Sequence, residues 1–379
     1  EKNQVMNLTA IRDKEGMLEK HFIDSLLLTK VIKDEEKLFI DVGTGAGFPG
    51  LVLAIFYPEK SFLLVDSVRK KIEFINEVIE KAKNLGMDSV AITDHGVMFG
   101  VVDFYKTAKK NGIKPIIGCE LYTSARTHKD KETVDKKSGH IILLAKSNEG
   151  YKNLIKLVSI GFVDRFYYKP RVDYGLLEKY SEGIICLSAC LAGDVQQQIL
   201  AGNYEKAKEI ALRLENIYGK GNFYLEMQDH NIAEQKRVNI YLRKLSMDTK
   251  IPLVVTNDVH YVDKKDYKSH EILLCIQTGK TLADEQKMEF QTNEFYFKSQ
   301  EEMYDIFSGD EEALANTQKI ADMCNVEFDF NSYHLPKYSV PSNYNAFEYL
   351  KKLCDEGIKQ RYEIVSDDIK NRLDFELNV

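Results

Sequence analysis

Several class-defining features are missing from the 379-residue sequence. No two cysteines stand in a CxxC spacing; the six fall at Cys119, Cys186, Cys190, Cys275, Cys324 and Cys354. Without a secretory leader, that pattern excludes a disulfide framework and fits reduced thiols in a cytoplasmic chain. A basic excess is also missing: 52 Lys+Arg face 59 Asp+Glu, for a net charge of -7 and a pI near 5.8. Nucleic-acid binding would therefore need a local patch. The longest apolar runs, such as Leu51 to Phe56, are far too short to span a membrane. No Pro/Gly/Ser-rich linker, short repeat or low-complexity segment occurs. The chain opens on Glu1 and stops at Val379 inside a helical pattern, and so reads as a fragment.

What is present suffices for two or three domains, and 44% hydrophobic residues allow a normal core. The organising stretch is Val90 to Glu120. Val90 to Thr93 is a short β-branched strand ending at Asp94, His95 and Gly96; Phe104 to Lys110 is helical; Ile113 to Cys119 is a second strand, ending at Glu120. Strand, helix, strand is the unit of a parallel sheet, and in parallel barrels the loops after strands carry the chemistry. Further ligand types stand beside later strands. His140 opens Ile141 to Ala145, Cys190 follows Ile184 to Ser188, and Leu253 to Thr256 runs into Asp258 and His260. Imidazole, thiolate and carboxylate together suit borderline metals such as zinc or manganese. Taken singly, each residue is an ordinary strand-end or core group, and Cys190 alone is a small buried hydrophobe.

The segments VAITDHGVMFG, KPIIGCELY, GHIILLAKSNEGYKNLIKLVS, FYYKPRVD, LSACLAGD, NFYLEMQDH and PLVVTNDVHY resemble the PHP (polymerase and histidinol phosphatase) domain of the bacterial DNA polymerase III alpha subunit. HEILLCIQTGKTLADE, TNEFYFKSQEEM and YHLPKYSVP are similar to the segment that follows it and opens the polymerase palm. The resemblance runs from about residue 79 to 379. It implies a distorted β/α barrel with metal ligands at His95, Glu120, His140, Cys190, Asp258 and His260. It also implies divalent metal (zinc, manganese or magnesium), a link to 3′-5′ exonuclease or phosphoesterase activity, and DNA and other replicase subunits as partners. Asp94, Asp229 and His230 become candidates for groups behind the ligands or facing substrate. Asp229 and His230 read equally well as a turn after the strand Phe223 to Met227. The family's first motif, a His-x-His on the first barrel strand, is absent, and the palm carboxylates that hold magnesium for nucleotidyl transfer would lie beyond Val379. No primer extension is expected.

The N-terminal part reads differently. Residues 1 to 37 are helical, with His21, Asp24 and Ser25 close together. Leu38 to Val42 is a strand, followed by a glycine loop with Gly43 and Gly45; Ser61 to Val65 is a second strand, ending at Asp66. Glycines after a strand let backbone approach a nucleotide-like ligand, and an acid ending the next strand can hold ribose hydroxyls. NLTAIRDKEGMLEKHFIDSLLL, FIDVGTGAGFPGLVLAI and LLVDSVRKKIEFINEVIE resemble the small-subunit rRNA guanine methyltransferase of the glucose-inhibited division protein B family. This implies a partial Rossmann-like fold and S-adenosylmethionine at Gly43, Gly45 and Asp66. With the later strands of the pocket absent, binding is expected to be weak or nil, and rRNA is a partner only if this part is active.

The expected organisation is α/β: a methyltransferase segment over 1–80, a PHP barrel over 81–265, and the truncated start of the palm, largely helical, over 266–379. The join falls inside the helix KKIEFINEVIEKAKNLGM and suggests a joining error or rearrangement rather than a designed bifunctional enzyme. Because a barrel missing a strand exposes two edges, Ser61 to Val65 is expected to serve as barrel strand one, with helix 68–84 outside it and Leu38 to Val42 displaced. Asp66 would then be the one borrowed residue able to reach a metal, and one or two ions at most are expected.

Overall fold

The computed structural model describes residues 22–42, 49–65, 67–164, 166–284, 287–332 and 338–379. His21, Gly43, Gly45 and Asp66 lie outside the described residues. Two compact units result, Glu1–Val326 and Glu327–Val379. In the first, α1 (Asp24–Leu27), β1 (Leu38–Val42), α2 (Gly50–Phe56) and β2 (Ser61–Val65) precede the long helix α3 (Ser67–Asn84). The second holds α13 (Ala346–Arg361) and α14 (Asp367–Asn378), which bury no residue and expose Phe347, Leu350, Leu353 and Phe375.

The expected capture of Ser61 to Val65 by the barrel does not occur. β2 pairs in parallel with β1, from Leu38 opposite Ser61 to Val42 opposite Val65, as a separate two-stranded sheet. Loop-closure entropy does not separate the two pairings, because β2 stands about as far in sequence from β3 as from β1. Side chains reinforce the pair: Phe39 and Phe62 stack with centroids 5.0 Å apart. The Lys60 ammonium donates to the carbonyls of Lys33, Asp34 and Glu36 at 2.7–3.1 Å. Capture would exchange one five-residue ladder for another and forfeit these contacts.

The main sheet runs β3 (Ser89–Ile92), β4 (Lys114–Ser124), β5 (Ser138–Ala145), β7 (Ile184–Leu187), β8 (Phe223–Met227), β9 (Leu253–Val255), with β6 (Arg171–Val172) beside β4. It is mixed. β3–β4, β7–β8 and β8–β9 pair in parallel, but β5 is antiparallel to both β4 and β7. The reason is the connection: β4 reaches β5 without the crossover helix that a parallel neighbour requires. The segment between them holds only a short 3₁₀ turn, Thr133–Lys136.

Helices α4 (Val101–Lys110), α5 (Asn148–Val163), α6 (Tyr174–Lys179), α7 (Asp194–Leu200), α8 (Tyr204–Tyr218) and α9 (Ala233–Thr249) lie between the strands in sequence. The period-two alternation of a strand sorts residues onto two faces. Leu121, Ile141, Leu143, Cys186, Phe223 and Leu225 join one core with residues of α5, α7, α8 and α9. Ile116, Ile142, Leu144, Ile185, Leu187, Tyr224 and Val254 line the other face, covered by Ile320, Ala321 and Cys324 at and just beyond the end of α12 (Glu311–Met323). Each fully buried aliphatic contributes about 1.5–3 kcal/mol. The second face is the inside of a curled half-barrel. Among the described residues its sheet stops at β3 on one side and β9 on the other. Lys81 Nζ of α3 lies 3.0 Å from Asp263, beyond β9.

Candidate metal centre

Strand direction decides which residues share the rim. His95 follows β3, Glu120 lies within β4, Cys190 follows β7, and Asp258 and His260 follow β9. These strands point the same way, so their C-terminal ends come together. β5 runs oppositely, and His140, near its start, arrives at the same rim. Parity adds the facing: Glu120 and His140 share the inner side with Ile116, Ile142 and Leu144.

The six candidate ligands form one connected set. Glu120 Oε1 lies 3.4 Å from His95 Nδ1 and closer still to His140 Nδ1. Cys190 Sγ is 3.5 Å from His140 Nδ1, and Asp258 Oδ1 is 3.3 Å from His260 Nε2. The His95 ring lies 6.2 Å from that of His260 and 5.6 Å from that of His140. Ligand atoms of His95, Glu120 and His140 all fall within 4.8 Å of one another. Glu120 is 4% exposed, and its Oε1 accepts no hydrogen bond although two imidazoles converge on it. A buried acceptor left that way is costly, and a divalent cation bridging carboxylate and imidazoles satisfies it. The donor set therefore fits a cation. Burial pushes the His95 imidazole down, against the pull of Glu120, which favours the neutral form that ligates. Burial, then the Glu120 and Asp258 charges, push the Cys190 thiol well up.

A second ring of polar groups supports the rim. His230 is 1% exposed; its Nε2 meets the Asn257 carbonyl at 2.7 Å, its Nδ1 meets Gln235 Nε2 at 2.9 Å, and it stacks on Phe295 at 3.9 Å. It thus buttresses the residue before Asp258. Asp229 accepts the Asn231 N–H at 2.8 Å, closing a turn. The Asp94 side chain is exposed, while its carbonyl accepts the Glu120 N–H at 3.1 Å.

Sequence reasoning passed over Glu226, Thr256, Gln196 and Lys298. Glu226 is fully enclosed, and burial pushes its carboxyl up to about 7. The Lys298 amine, 1% exposed, packs 4.3 Å from the Tyr296 ring and donates to Asn257 Oδ1 and the Glu294 carbonyl. The signal for Glu226 was legible: a carboxylate inside the otherwise apolar strand FYLEM.

The family profile for the PHP domain matches residues 67–230, and that for rRNA small subunit methyltransferase G matches residues 1–95. They overlap on α3 and β3, where the two parts join. DNA polymerase III subunit alpha of Borreliella burgdorferi is 45% identical over 322 residues, 84% of this chain and 28% of that protein. The Treponema pallidum subunit is 42% identical over 308 residues, 80% of this chain and 26% of its own length. The chain thus spans little more than a quarter of these relatives. A solved structure of a putative metal-dependent phosphoesterase from Bifidobacterium adolescentis overlays 48% of this chain and 81% of its own, at a TM-score of 0.28 and 13% identity. The chain thus resembles rRNA small subunit methyltransferase G over residues 1–95 and DNA polymerase III subunit alpha, with its PHP domain, over most of the remainder.

Proposed function

We propose that this piece of a DNA polymerase III alpha subunit holds one or two divalent cations at its rim and is weak or silent as a phosphoesterase. The carrying observation is the clustering of His95, Glu120 and His140 ligand atoms within 4.8 Å of one another, with Glu120 Oε1 buried and without a hydrogen bond; Cys190, Asp258 and His260 complete the proposed set. Zinc, manganese or magnesium bound there would supply a water of lowered pKa and neutralise charge on a phosphoryl group. The chain's own residues do the rest. Glu120 and the imidazoles hold the ion, His230 fixes the turn ahead of Asp258, and Asp94 stands exposed at the mouth. The sheet's open side between β3 and β9 favours impaired chemistry, and with it a scaffold role beside DNA and other replicase subunits.

The boundaries 1–80, 81–265 and 266–379 belong to the same proposal, as does weak or absent S-adenosylmethionine binding through Gly43, Gly45 and Asp66. The test is elemental analysis of purified protein, followed by hydrolysis of bis(p-nitrophenyl) phosphate and of single-stranded DNA. One or two ions with hydrolysis near background is the expected result. Metal content that Glu120→Gln leaves unchanged would overturn the centre, and brisk exonuclease activity would overturn the impairment.

A further inference from the structure

β8 lies between β7 and β9, so a side chain near its C-terminal end can reach the ends of both neighbours. Glu226 does so on the inner face. Its Oε2 accepts the Ala189 N–H at 2.9 Å, and its Oε1 accepts the Thr256 hydroxyl at 2.5 Å and Gln228 Nε2 at 3.2 Å. Ala189 immediately precedes Cys190, and Thr256 stands two residues before Asp258. Both turns are left-handed at a non-glycine residue, φ +66° at Ala189 and +46° at Asp258. Alanine has no side-chain polar group to hold itself there, so the hold must come from outside. Gln196 supplies the opposite side of the first turn, donating to the Ala189 carbonyl and to Ser188 Oγ, each at 2.8 Å. Ser188 Oγ in turn accepts the Glu226 N–H at 2.8 Å.

We propose that Glu226 is a positioning residue of the centre: one buried carboxylate locks both the turn that presents Cys190 and the turn that presents Asp258, so that the two arms respond to a cation together. With both oxygens engaged by protein donors, Glu226 is not itself a ligand. The cation part of this inference rests on the metal-centre reading above; the lock does not.

Zinc affinity of the full chain, by competition with a chromophoric chelator, tests the cation part. Hydrogen exchange of the metal-free protein tests the lock. Glu226→Ala is expected to weaken zinc binding at least tenfold, in the range seen when groups behind metal ligands are removed. Its amides around Ala189 and Asp258 should exchange faster. Glu226→Gln should lose clearly less zinc affinity than Glu226→Ala. Its amide oxygen can still accept from Ala189, its nitrogen can donate to Thr256, and Gln228 can turn its unpartnered Oε1 toward it.

If Glu226→Ala fails to fold, Thr256→Val keeps the shape, removes one arm of the lock, and should still speed exchange at Ala189. Unchanged zinc affinity in Glu226→Ala, or exchange at Ala189 indifferent to Thr256→Val, would overturn the proposal. So would equal losses in the Gln and Ala variants. Failure of the wild type to bind zinc would sink the metal-centre reading and the cation coupling with it, while the exchange arm would still decide the lock.

Discussion

Glu120 concentrates the chemistry of the rim into one atom, a buried oxygen faced by two imidazoles and hydrogen-bonded to neither. Glu120→Gln keeps the volume and removes the charge, so metal retained after dialysis against a weak chelator should fall at least about tenfold, or ~1.4 kcal/mol. The apo unfolding midpoint should hold or rise, because a buried carboxylate no longer needs a counter-ion. Elsewhere a single carboxylate sets acid sensitivity. Arg126 grips Asp135 through Nε at 3.0 Å and a terminal nitrogen at 2.5 Å, and holds its carboxyl at about 2 against an ordinary 3.8. A depressed carboxyl stabilises the fold fully above its unfolded value and loses that contribution as pH falls through the folded one. The contribution is therefore complete above pH 3.8 and decays toward pH 2. Arg126→Ala should move acid unfolding to higher pH, as read by circular dichroism.

Among the elements, β5 is the one whose direction only the structure decides. Its apolar run and His140 were legible, but direction is set by the connection and not by composition. The antiparallel placement puts His140 opposite Tyr122, with rings 5.2 Å apart, and so on the rim. The entry to α5 carries a different constraint. A Cβ on Gly150 would sit 1.7 Å from the Gly183 carbonyl oxygen, itself in a left-handed turn at φ +71°. Gly150→Ala therefore has to displace backbone. The expected cost is about 2–3 kcal/mol, a fall of roughly 5–10 °C in the calorimetric midpoint for a domain of this size.

For the whole molecule, the pairing of β1 only with β2 among the described residues makes the N-terminal part dispensable for the rim. Deleting residues 1–66 should leave zinc affinity and the main unfolding transition unchanged, by chelator competition and calorimetry; loss of either would show that β1 and β2 support the half-barrel after all. Titration with S-adenosylmethionine should show no micromolar binding, because one βαβ unit cannot bury most of such a ligand.

The sequence alone determined the elements and the chemistry at their ends. β1, β2 and β8 have the bounds that their apolar runs mark, and α3 spans Ser67–Asn84 where 68–84 was expected. Periodicity and residue type are local properties, so they survive in a chain read one residue at a time. Only the tertiary structure decided which edges pair and which buried polar groups meet. The choice of β1 over β3 as partner for β2, and the reach of Glu226 to two turns far apart in sequence, depend on side-chain contacts and strand order. Those are properties of the assembled sheet, which no stretch of residues carries by itself.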